Sequence, residues 1–187
     1  MNLIYRLEET VLGPLSRALN AGLLSFLMRL TFLAVLALFF WNSALGKLGE
    51  GISGLWTPSV GAYASIMPKA MEAVGYDPSQ LGLGAKLFVL AGTWGEFLIP
   101  ALVVAGLFTR ASAFAMIVFI IVLSYVDVTG HGVGVETLGG FFDRVPDAKI
   151  LDQRSLWVAM LLVLVAKGGG WLSLDTLIGR DRDEPTN

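Results

Sequence analysis

Residues 83–126, "LGAKLFVLAGTWGEFLIPALVVAGLFTRASAFAMIVFIIVLSYV", decide how this chain folds. From Leu87 to Thr109 the only charge is Glu96, and from Ala111 to Val126 there is none. A helix needs about 20 apolar residues to cross the hydrocarbon of a bilayer, and both runs approach that scale. Only "FTRAS", 108–112, lies between them. So short a link makes the two helices antiparallel neighbours. The reading is a pair of membrane spans at about 83–108 and 111–126.

Working outward, a third apolar run precedes the pair at about 23–45, uncharged from Leu30 to Gly46, with Arg29 inside one end and Trp41 near the other. A fourth follows at about 156–172, where Lys167 can snorkel from one end. Its uncharged stretch, Ser155 to Ala166, is the shortest, and were it not to cross, the C-terminus would lie on the other side. The expected architecture is all-α: an integral membrane four-helix bundle, one domain over 1–187.

Residues 1–19 place Ile4, Leu7, Val11, Leu15 and Leu19 at helical spacing, which predicts an interfacial amphipathic helix that Pro14 bends or interrupts. Glu8, Glu9 and Pro14 precede the first apolar run, which is unlike a cleavable signal peptide. Between spans, 47–82 is expected to hold a short helix capped by Thr57 with Pro58 at its first position, ending near Ala73. The segment 127–153 is rich in glycine and acid, and a tail at 181–187 is expected to be flexible.

Composition agrees. Of 187 residues, 55% are hydrophobic and 15% charged, with mean hydropathy +0.71, whereas soluble domains carry about 25% charged residues. The absence of cysteine excludes disulfides and thiol chemistry. One histidine, His131, argues against a self-contained metal site, and none is expected. A net charge of −2 without a basic run argues against nucleic acid as a partner. "HGVGVETLGG", 131–140, has neither a Walker lysine nor dinucleotide spacing. The five tryptophans read as belt and packing residues.

Glu96 is the chemical centre of the sequence. A charge near mid-bilayer costs at least a few kcal/mol, so it should face protein or trapped water. Pro100, four residues on, cannot donate to the Glu96 carbonyl. Arg29 is the expected partner, about 7 Å away in depth at roughly 1.5 Å per residue. Together they form either a packing ion pair or a polar ligand or proton site. Asn42, Lys47, Asp127, His131 and Glu136 are expected to gather at the outer mouth, or to be hydrated loop and anchoring residues. Basic residues divide seven to six between the two sides. Arg110 in its short loop, with Arg29 and Lys167, favours cytoplasmic termini.

Three segments resemble the DoxX family of small bacterial membrane proteins: "LMRLTFLAVLALFFWNSALGKL" at 27–48, "GTWGEFLIPALVVAGLFTRASA" at 92–113 and "GGGWLSLDTLIGR" at 168–180. Together they span about 25–180, with Arg29 and Glu96 at matching positions. The resemblance implies a four-helix membrane bundle associated with respiratory or sulfur-compound oxidation, quinone-linked complexes and oxidative stress. It also implies a fold similar to quinone-handling bundles that use cysteine pairs, whose thiol chemistry cannot apply here. The sequence carries no autonomous catalytic motif or intrinsic cofactor site. The functional expectation is therefore an accessory subunit of a quinone-linked redox or oxidative-stress system in a bacterial inner membrane, with a bound quinone and a protein partner, compatible with an oligomer. The alternatives are a non-enzymatic scaffold for a soluble partner and a small-solute carrier.

Overall fold

The computed structural model describes residues 2–179, so the expected tail at 181–187 lies outside the described residues. Helix α1, Asn2–Ala18, runs through Pro14 without interruption, and Leu19 still donates to the Leu15 carbonyl beyond it (2.8 Å). Its Leu7, Val11, Leu12 and Leu15 are exposed.

Among the described residues, three helices are long and apolar enough to cross a membrane: α2, Ala21–Lys47; α5, Leu83–Ala105; and α6, Thr109–Gly130. Asn20 starts α2, its side chain accepting from the Leu23 amide (3.0 Å). A π-helical turn, Leu33–Ala37, interrupts α2 midway, and another, Val126–Gly130, extends α6 past the predicted end. Between α2 and α5 lie α3, Val60–Ile66, and α4, Pro68–Ala73. Ser59, not Thr57, caps α3. The single expected helix is broken at Met67 because the residue before a proline is pushed out of α geometry. A short α7, Val135–Leu138, follows α6.

The fourth predicted span takes a shorter form. A π-helical turn, Lys149–Gln153, leads into α8, Arg154–Lys167, which stops at Gly168 (φ +79°) rather than continuing to 172. The chain then turns through three glycines into α9, Leu174–Leu177.

Helix α2 packs on α5 and α8, and α6 packs on the same two. The ring closes on Phe32, Leu36 and Phe40 of α2, Val103 of α5, Met116 and Ile120 of α6, and Leu161 and Leu164 of α8. Only 28–33% of each apolar window of α2, α5 and α6 is buried. Their outward rows, among them Leu38, Leu98 and Ile121, are also apolar and exposed. Such rows suit lipid, where outward apolar surface carries no hydration penalty.

Candidate functional site

At one end of the ring, Arg29 is buried beneath the turn between α5 and α6. Its Nε donates to the carbonyls of Val103 and Val104, Nη1 to Gly169 and Trp171, and Nη2 to Val104 and Leu172, at 2.7–3.3 Å. Val103 and Val104 lie in the last turn of α5, at the negative end of the helix dipole, where the Val103 carbonyl also accepts from the Gly106 amide (3.2 Å). One guanidinium therefore joins α2, the end of α5 and the glycine turn. Asp175 completes this knot. Its carboxylate accepts from the amides of Phe108 (2.8 Å) and Thr109 (2.7 Å) and from the Thr109 hydroxyl (2.7 Å), capping α6 across the chain. Gly106 is required here: its φ is +66°, and a Cβ would lie 2.5 Å from Ser173 Cβ and 2.7 Å from Arg29 Cζ.

The expected Arg29–Glu96 pair does not form. Lys47, at the last position of α2, takes that place: its Nζ lies 2.9 and 2.8 Å from the two Glu96 oxygens and 2.6 Å from Ser43 Oγ. Ser43 is one turn earlier, so the lysine stem folds back along its own helix, a reach of about one 5.4 Å pitch. The Lys47 backbone lies at the outer end of α2, as expected, while its amine reaches inward. Both side chains are almost wholly buried, at 9% and 4% exposure.

This pair forms part of the wall of a cleft of about 470 Å³ between α5 and α6. Phe88, Ala91, Gly92 and Ile99 line it from α5, Phe114, Val118, Phe119 and Val122 from α6, and Ser65 and Ile66 from α3. Phe88, Phe114, Val118 and Val122 are also exposed on the outward surface. The cleft therefore opens on the apolar face of the ring.

Of the other expected mouth residues, Asn42 and Glu136 are exposed, and His131 Nε2 meets the Ser65 carbonyl (3.0 Å) across the two long connections, beside the cleft that Lys47 and Ser65 both line. Asp127 pairs with Arg154 Nη2 (2.5 Å), whose Nη1 donates to Ser124 (2.8 Å). Sequence reasoning missed Arg154 in this role. The available signal was its place just before the last apolar run, on the side where the last turn of α6 carries Asp127. Among the described residues, no group of three His, Asp or Glu is placed to hold a metal ion.

These features define a helical membrane protein with a buried lysine–carboxylate pair beside an apolar cleft. The chain belongs to the DoxX family, whose pattern it matches over residues 24–131, more than half its length. That match takes in Arg29, Lys47, the cleft and Glu96, and ends before Arg154 and the glycine turn. No curated protein and no solved structure matches the chain.

Proposed function

We propose that this DoxX-family protein is an accessory subunit of a quinone-linked redox or oxidative-stress system in a bacterial inner membrane, and that the α5–α6 cleft receives the quinone. The observation that carries the reading is the Lys47–Glu96 pair on the wall of an otherwise apolar, aromatic cleft facing the bilayer. Phe88, Phe114 and Phe119 suit a flat ring and an isoprenoid chain. Lys47 can donate to a carbonyl oxygen, and Glu96 can accept from a hydroxyl or hold a proton. A bound quinone supplies two-electron, two-proton carriage. This chain binds and orients it, while a partner protein exchanges the electrons.

In this reading α8 is the fourth crossing. Its fourteen residues rise about 21 Å, less than the roughly 30 Å hydrocarbon core, with Arg154 and Lys167 reaching toward the interfaces from its ends. Four crossings put both termini on one side, the cytoplasmic one by the position of Arg110. The exposed leucines of α1 then lie in that interface. A scaffold role has its own support in the connection after α6, where Phe141, Phe142 and Val145 are exposed.

The test is solvent extraction of detergent-purified protein followed by mass analysis for quinone. Wild type should carry near-stoichiometric quinone. Ala91→Trp, which fills the cleft from an exposed position while leaving both charges in place, should reduce it to the level of an unrelated four-helix membrane protein. Quinone at that background in the wild type, or retention unchanged in Ala91→Trp, would reject the cleft as the quinone site.

A further inference from the structure

A second groove, of about 690 Å³, runs between α2 and α8 on another face of the ring. We propose that it holds one anionic phospholipid from the leaflet on the side of the long connections, with an acyl chain between the helices and the phosphate at Lys149 and Arg154.

The groove is long enough for an acyl chain. It extends along α2 from Met28 to Phe39, a rise of about 16 Å at 1.5 Å per residue that is centred on the π-helical turn, so a chain anchored at the Lys149 end runs past the middle of the helix. Its long walls are apolar, and Trp157, tilted against Phe39 at 6.2 Å between ring centres, forms part of them. Both walls also depart from α geometry. Val35 and Leu36 lie in the π-helical turn of α2, and Lys149 and Gln153 in the one preceding α8. Such turns recur where a helix surface is adapted to a ligand.

The polar end selects the headgroup. Among the described residues, the charged side chains that line the groove are Lys149 and Arg154, both cationic. Lys149 is exposed. The Nη atoms of Arg154 are engaged by Ser124 and Asp127, but its Nε is buried without a hydrogen-bond partner. An unsatisfied guanidinium N–H is costly, and a turn of the Arg154 side chain toward the groove would give it a phosphate oxygen. The neighbouring acid, Asp152, does not line the groove and accepts from the Ala148 amide (2.9 Å). A zwitterionic headgroup would bring its own cation beside Lys149, whereas an anionic one would not.

The full-length protein, purified in mild detergent from a membrane containing both lipid types, is examined by native mass spectrometry. Wild type should retain about one phosphatidylglycerol or similar anionic phospholipid per chain. Lys149→Gln should lower that retention about tenfold, the scale of one charge-assisted hydrogen bond. Val35→Trp, which blocks the groove from an exposed position, should abolish it, while both variants melt as the wild type does. Retained lipid that mirrors the bulk mixture, or anionic lipid unchanged in both variants, would overturn the proposal. So would a second copy of the chain found in place of lipid.

Discussion

Removing either partner of the Lys47–Glu96 pair leaves the other buried among apolar side chains. Breaking one side of a buried pair is expected to cost about 3 kcal/mol, whereas replacing both with apolar groups of similar volume can be close to neutral. Glu96→Leu and Lys47→Met should therefore each lower stability in denaturant titrations of the detergent-solubilised protein, and Lys47→Met/Glu96→Leu should regain most of the loss. Losses in the double variant equal to the sum of the single ones would show that the two charges do not interact. Arg29 behaves differently, because its fork holds carbonyls at several angles. Lysine, a point charge on a flexible stem, cannot reproduce that arrangement. The difference explains why the sequence pointed to the wrong partner for Glu96. Arg29 is the deeper cation along the chain, but the nearby carbonyl-rich turn engages its donors, leaving the lysine at the helix end to reach back.

The turn between α5 and α6 is an element held from outside itself. Phe108 has φ +48° and no capping side chain of its own, so the first amides of α6 depend on Asp175, some 66 residues away. Charge-assisted caps at helix N-termini are worth about 1–2 kcal/mol. Asp175→Ala should lower the melting temperature and speed hydrogen exchange of the Phe108 and Thr109 amides, while exchange in the middle of α6 stays slow. Unchanged exchange at those two amides would mean that the cap contributes nothing. This contact shows what the sequence could and could not convey. The spans over α2, α5 and α6 were legible because hydrophobic length is a local property, and "FTRAS" located their turn to within a few residues. The role of Asp175 was not, because a cap supplied across the fold has no periodic signature. Nor was the end of α8 at Lys167: apolar Trp171 and Leu172 extended the predicted span, whereas Gly168, Gly169 and Gly170 turn the chain back. There Trp171 donates its amide to the Gly22 carbonyl (3.0 Å) at the start of α2.

At the scale of the molecule, the number of crossings fixes which compartment each surface sees. Helix α8 is the decisive element, because it is short for a bilayer yet closes the ring between α2 and α6. If it crosses, Glu9 and Leu177 lie on one side and Glu136 on the other. If it does not, Leu177 joins Glu136. The chain has no cysteine, so a single introduced thiol reports its own position without background. Glu9→Cys, Glu136→Cys and Leu177→Cys each alter an exposed residue. In intact cells a membrane-impermeant maleimide should label Glu136→Cys alone. The other two should react only after permeabilisation. Labelling of Leu177→Cys together with Glu136→Cys would make α8 a helix that enters the ring without crossing. Labelling of Glu9→Cys and Leu177→Cys but not Glu136→Cys would keep four crossings and invert the protein. The proposed quinone and lipid sites would survive that inversion, since both are built from contacts within the ring, but any partner protein would have to approach from the opposite compartment.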